Sequence, residues 1–525
     1  MKLSRLIAGG IASLIAVQLV GAKIISNNIE DAVNGTVEAY SDQVGFPLLV
    51  NDFKNGWFSS SFNVSIAIPV QLAEPLKKIG LTVSDRETIT TVDMQTDINH
   101  GPFIIDNGLH FGAAYANGTV KFDTEELIGL AVAEDIDADR RAAIEKMMPQ
   151  LAKLADILES TYSIDASFNG DVVFHGKMEG GNFSLEDFPE NGELEAFSFE
   201  IGKSTGSWQI NSAKDHTVIQ SHWEGLNFTA LPKNGEKIEA TVGAMTLDGE
   251  LAKIGDAFWG GDATASIKSI TVTGSASGQS IDVGFGPMDF ASSTQLMSKK
   301  KDLLSSGGRM TLENFKVAGD EGALVLDSMI FDVEIQNLFT RFLAAYQEVN
   351  RESWNMLVSG QTDADPFAKF ETAEFEGIVD KQLAAKPRIT IADYKITSGG
   401  ENVGFDGYIQ LNPGATSASM QEGEQIWSLF EGEVTFRLSP KMVKSLGYSA
   451  VQMGPQKLPQ EQIDQLVDLQ LAQYQQMGLI KPDGQNFVSN VNIANDIISV
   501  NGKPMAQISQ LVAASQQAKP AAATE

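Results

Sequence analysis

The sequence predicts a mainly β protein of the α+β kind: an elongated, curved antiparallel sheet of hairpins, interrupted by helical insertions and preceded by an N-terminal transmembrane helix. Three observations predict it. Apolar residues alternate with period 2, as in Phe197, Phe199 and Ile201 against Ser198 and Glu200, or Ile238, Ala240 and Val242 against Glu239 and Thr241. Turn dipeptides separate such runs: Asn107-Gly108, Asn117-Gly118, Asn169-Gly170, Asn191-Gly192, Asp248-Gly249 and Asn501-Gly502. An uncharged apolar leader opens the chain.

That leader follows Lys2 and Arg5 and runs from Leu6 to Ala22 without a charge. Seventeen helical residues reach roughly 25 Å, the short end of a membrane span, and Ile24 and Ile25 can lengthen it if Lys23 snorkels. Val20 and Ala22 also suit cleavage before Lys23, so residues 1–25 read as an anchor or a removable signal, the anchor (residues 6–25) being preferred. Lys2 and Arg5 before the span and Glu30 and Asp31 after it place the N-terminus in the cytoplasm. No second run of about 18 apolar residues follows, so the expectation is a single-pass protein with an exported β-rich domain over 26–512 and a disordered tail over 513–525.

Within the exported part, Met178-Glu-Gly-Gly-Asn-Phe-Ser184 aligns with Trp223-Glu-Gly-Leu-Asn-Phe-Thr229, and more loosely with segments starting at Ile267, Leu312 and Ile391. The first four starts are about 45 residues apart, which suggests stacked β-repeats between 178 and 320 whose apolar face forms a trough. Three stripes have helical spacing: Ile144 to Leu158, Leu338 to Val349, and Pro459 to Met477 with Ile463, Leu466, Val467, Leu469, Leu471 and Tyr474 on its apolar side. Such a stripe packs into the core or covers a groove as a lid.

Composition excludes several function classes. Lys and Arg number 38 against 68 Asp and Glu, a net charge of −30, which opposes binding to nucleic acid or to an anionic lipid surface. The absence of cysteine removes disulfides, thiol catalysis and iron–sulfur ligation. His100, His110, His175, His216 and His222 show no metal-ligand spacing, and Asp135-Ile-Asp137-Ala-Asp139 fails as a calcium loop because Arg140 and Lys146 occupy its glycine and glutamate positions. Gly284-Phe285-Gly286-Pro287 reads as a turn, since Pro287 removes a donor that a phosphate loop needs. No nucleophile elbow or Walker run occurs, and neither a catalytic residue nor a cofactor is expected.

Two segments remain. Gly56-Trp57-Phe58-Ser59-Ser60 enters a strand, and His100-Gly101-Pro102-Phe103 leaves one, with His100 suited to bridging backbone groups at the corner. Together with the leader and the C-terminal Ile497-Ile498-Ser499-Val500-Asn501-Gly502-Lys503-Pro504-Met505, they carry a resemblance over nearly the whole chain to the YdgA family of Gram-negative envelope proteins, which holds a domain of unknown function. The resemblance implies an inner-membrane-anchored, periplasm-facing protein and brings no catalytic residues with it. The resulting expectation is a non-enzymatic envelope protein whose sheet binds or conducts a lipid or other apolar ligand. The alternatives are an envelope structural or protein-interaction module and, less favoured, a periplasmic enzyme using His100.

Overall fold

The structure is a computed structural model. It describes residues 48–55, 59–69, 88–100, 104–105, 109–110, 112–122, 153, 156–186, 194–233, 237–254, 258–276, 279–297, 300–320, 322–359, 372–412, 415–416, 426–453 and 457–510. The leader, the tail, the Asp135–Asp139 run, most of the first helical stripe and the Asn107-Gly108 and Asn191-Gly192 signals lie outside the described residues. Among those described, no helix is long and apolar enough to cross a membrane. Contacts divide the chain into two units, Met1–Lys253 with Gln347–Phe367, and Ile254–Tyr346 with Ala368–Glu525.

The first unit begins with β1 (Leu48–Asn55), β2 (Ser59–Pro69) and β3 (Thr88–His100), then a small pair, β4 (Ile104–Ile105) with β5 (Leu109–His110), and β6 (Ala114–Phe122). It continues with β7 (Ser160–Ala166), β8 (Val172–Met178), β9 (Gly181–Glu186), β10 (Leu194–Ile201), β11 (Ser204–Ile210), β12 (His216–Trp223), β13 (Leu226–Pro232), β14 (Ile238–Val242) and β15 (Met245–Ile254). These strands pair antiparallel. One ladder runs β1-β2-β3-β6-β7-β8-β11-β12-β15, and a second runs β9-β10-β13-β14. The buried face is the alternating apolar set, with Phe62, Val64 and Ile66 beside Val92, Met94 and Ile98.

The two ladders arise because each long strand turns a corner at its middle. Only Glu179-Gly180 separates β8 from β9, and only Glu224-Gly225 separates β12 from β13. A Cβ at Gly180 (φ +73°) would lie 2.1 Å from the Ile201 carbonyl oxygen, and one at Gly225 (φ +115°) 2.2 Å from that of Val242, so the corner requires glycine at both. The Met178 and Trp223 segments that align in sequence are the two copies of this corner, and Met178, Trp223 and Leu226 pack against the buried cluster of Ile157, Phe183, Leu185 and Ile201. The spacing of about 45 residues is therefore two long strands plus their turns.

The second unit opens with β16 (Phe258–Ile267), β17 (Ile270–Ala276), β18 (Gln279–Phe285), β19 (Met288–Met297), β20 (Lys300–Gly319) and β21 (Gly322–Phe339). Two helices follow in sequence, α1 (Thr340–Ser359), whose residues from Gln347 onward belong to the first unit, and α2 (Ala373–Ala384), then β22 (Arg388–Ser398), β23 (Glu401–Leu411), β24 (Phe430–Leu438), α3 (Pro440–Met453) and α4 (Gln460–Met477). It closes with β25 (Lys481–Asp483), β26 (Asn486–Ala494), β27 (Ile497–Val500) and β28 (Lys503–Gln507). The ladder runs β16-β19-β20-β21-β22-β23-β24-β26-β27-β28, with β18 pairing along the far half of β20 and β17 pairing with β18. Here β20 and β21 stay continuous. Their register keeps one offset from Glu313↔Ser328 to Phe315↔Leu326, and between these pairs Asn314 (φ +53°) enters the left-handed region, its side-chain amide nitrogen donating to the Gly286 carbonyl at 3.0 Å.

The structure departs from the sequence expectations at five places. Asn117-Gly118 lies inside β6 and Asp248-Gly249 inside β15, so neither is a turn. Gly118 is needed where the Tyr162 ring crosses the strand, since a Cβ there would stand 2.4 Å from the ring. Gly284 to Pro287 does not reverse the chain; β18 passes into β19 through it, at a corner tied by a Gly286 N–H bond to the Glu313 carbonyl of 2.9 Å. Leu338 and Phe339 end β21, and the helix begins at Thr340. Helix α4 starts and stops as expected, with Gly478 (φ +76°) as its left-handed cap, but Leu466 and Leu469 are 57% and 68% exposed. Only Ile463 and Leu471 are buried on it, because Gly447 of α3 lets Ile463 and Val467 approach along one narrow side. Helix α3 has a legible signal that the periodicity reading passes over: Ser439 accepts the Met442 N–H at 3.4 Å and Pro440 fills the first helical position.

Candidate functional site

Alternation along each strand becomes a two-faced surface once the strands are in register. In the second unit Phe290, Met310, Phe331, Tyr394, Phe405 and Phe436 pair successively across β19, β20, β21, β22, β23 and β24. The rings form a chain, with centroids 6.1 Å apart from Phe331 to Tyr394, 4.7 Å from Tyr394 to Phe405 and 5.4 Å from Phe405 to Phe436. None of the six is buried, and Phe290 and Phe436 at the ends are 46% and 42% exposed. The next row on the same face, Met288, Leu312, Met329, Ile396, Val403 and Leu438, is apolar too. The reverse face carries ion pairs: Arg309 with Asp332 at 3.6 Å, and Arg437 with Asp406.

The first unit has a smaller counterpart. Phe183 stacks on Phe199 at 5.0 Å, and Phe197 meets Phe228 at 6.4 Å; Phe183 is buried while the other three are half-buried. Trp223 directs its indole N–H to the Gly202 carbonyl at 3.1 Å, and Trp208 bonds to Thr217, so both rings keep their apolar surface without an orphaned donor. Beneath the neighbouring strands Tyr162 bonds Thr96 at 2.5 Å, and burial holds its phenol well above the ordinary tyrosine range, so it stays protonated.

The residues singled out from sequence fall as follows. Gly56, Trp57, Phe58, Gly101, Pro102 and Phe103 lie outside the described residues. Ser59 pairs with Asn99 and Ser60 with Ile98, which brings the entrance of β2 and the exit of β3 to one end of the same strand pair; Ser59 is exposed and Ser60 buried. His100 closes β3 opposite Ala114. Among the other histidines, His110 lies 3.1 Å from Asp165 and His216 3.0 Å from Glu250, each through a side-chain contact on the sheet.

Asn501 and Gly502 form the β27–β28 turn with φ of +52° and +83°. The Asn501 amide donates to the carbonyls of Gly478 and Leu479 at 2.9 and 3.0 Å and accepts the Asn490 N–H at 3.1 Å, pinning the end of α4 to the sheet. Asn501→Ala is expected to lower stability by about 1–3 kcal/mol, since it strips partners from carbonyls and gives up a left-handed asparagine. Urea unfolding of the variant measures this, and a change below about 0.5 kcal/mol would show the pin to be idle.

The profile of a family described as bacterial protein of unknown function (DUF945) matches residues 1–507. No curated protein and no solved structure matches the chain.

Proposed function

The chain belongs to that bacterial family of unknown function, DUF945, and from this premise we propose that it is a non-enzymatic envelope protein that holds an acyl chain on the open apolar face of its sheet. In this reading residues 6–25 anchor it in the inner membrane, the bulk faces the periplasm, and its relatives are those of the YdgA kind. The observation that supports it is the register row from Phe290 to Phe436, six apolar side chains on six neighbouring strands with none buried. Strands lie about 4.8 Å apart, so five steps span roughly 24 Å. One leaflet contributes about 15 Å of the roughly 30 Å hydrocarbon core, so an acyl chain laid across the strands fits within the row. Water against that much apolar surface is unfavourable by about 25 cal/mol per Å².

Photocrosslinking tests this. The full chain is exposed to a photoactivatable sixteen-carbon fatty acid, and the labelled residues are mapped by mass spectrometry. Labels are expected on β19 to β24, falling at least tenfold in the Phe405→Asp variant with its circular dichroism unchanged. Absent or randomly scattered labels would refute the acyl site.

A second reading, a protein-interaction module, draws support from α4, where Leu466 and Leu469 stand exposed among glutamines. Recovery of the full chain with a stoichiometric protein partner and without lipid would favour it.

A further inference from the structure

We propose that the polar face of the first unit carries a binding site for a neutral oligosaccharide. This face is the opposite of the apolar one and owes nothing to the acyl reading. A hollow of about 560 Å³ opens on it, within the roughly 300–1,000 Å³ range of small-ligand sites. Its floor is a grid set by strand register. One row crosses β3, β6, β7 and β8 as Asp97, Asn117, Ser163 and His175, and the next starts at Gln95 and reaches Lys177 through two threonines.

The chemistry of the grid selects the ligand class. Asn, Gln, Ser and Thr each donate and accept, as sugar hydroxyls do, so the two sets can satisfy one another along the grid. Neighbours stand about 4.8 Å apart across the strands, so four strands present roughly 14 Å of continuous hydrogen-bonding surface, enough for several sugar units. Charge is a minor part of the floor: Lys177 is paired with Glu179, and Asp97 disfavours an anionic ligand. An apolar ligand finds no aliphatic side chain in either row.

The hollow is also held in shape before anything binds. Tyr115, on its wall, is buried, and the His110 ring stacks on it at 3.8 Å with Asp165 3.1 Å from the imidazole Nδ1. Beneath the floor the Tyr162 hydroxyl meets Thr96, and the ring lies across Gly118, which fixes the strand spacing. Rigid walls reduce the ordering cost of binding.

Saturation-transfer NMR on the full chain tests the proposal with maltotetraose, cellotetraose and chitotetraose as probes and tetraglycine as the peptide control. Transfer to at least one sugar is expected, reduced at least fivefold by Ser163→Trp, which fills the hollow, and by His175→Ala, whose exposed side chain can be removed without disturbing the core. Melting curves confirm that both variants fold. No transfer to any of the three sugars, transfer unchanged in both variants, or equal transfer to tetraglycine would overturn it.

Discussion

Replacing Gly118 by valine is expected to destabilise the protein by about 3 kcal/mol or more, enough to leave the first unit largely unfolded at 37 °C. Strand propensity alone argues the opposite, since valine suits a strand and glycine weakens one. Packing decides. A Cβ at this position would sit 2.2 Å from the Gln95 carbonyl oxygen and 2.5 Å from the Tyr162 hydroxyl. The carbonyl belongs to the backbone of β3, which pairs with β6 over nine residue pairs, so it cannot retreat without parting the ladder. The ring can retreat only by giving up the buried bond between its hydroxyl and Thr96, leaving polar atoms of both residues without that partner. Expression, far-ultraviolet circular dichroism and urea unfolding report the outcome. A Gly118→Val protein within 1 kcal/mol of the parent would mean that the ring does not cross the strand there.

In the second unit, Leu304→Ala is expected to cost about 2–5 kcal/mol. Leu304 has no exposed surface and pairs with Leu338, while its neighbour Leu303, 4% exposed, pairs with Phe339. Adjacent strand residues normally face opposite sides, and a register shift between Leu304 and Ser305 accompanies the burial of both leucines. Truncation removes side-chain volume from a fully buried position, and the cost rises with the cavity that remains. Phe436→Ala, by contrast, removes a ring that is 42% exposed, so it is expected to cost less than half as much. Urea unfolding of the two variants, with unchanged slope against denaturant, measures the difference. Equal losses would place the Phe290 to Phe436 row inside a closed core and remove the physical basis for an acyl site.

These expectations show which parts of the architecture were legible beforehand. Alternation at Phe197 to Ile201 and at Ile238 to Val242 marks strands, because side chains on a pleated strand repeat every two residues whatever lies nearby. Asn501-Gly502 is a turn because both residues tolerate the left-handed region that a two-residue hairpin demands. The same dipeptide at 117–118 is not a turn, because there glycine serves a neighbour 44 residues further along the chain rather than its own backbone. A local code cannot separate those two uses. The exposed side of α4 departs from its periodicity for a related reason: helical periodicity shows which residues share a side, whereas the width of the packed side depends on what α3 presents to it.

The candidate surfaces lie further from the sequence still. Phe290 and Phe436 are separated by 146 positions, and nothing local to either marks them as ends of one row; only the summed registers of six strands align them. The polar grid from Asp97 to His175 is assembled the same way, over 78 positions. By itself, then, the sequence determined the β character, the sense of each strand's two faces, the acidic charge and the helix at 460–477, all of which follow from neighbours within a few residues. Only the tertiary structure decided which glycines bend the chain, which admit a crossing side chain, and which residues meet across the sheet, because pairing register is a non-local choice made by the packing of whole strands.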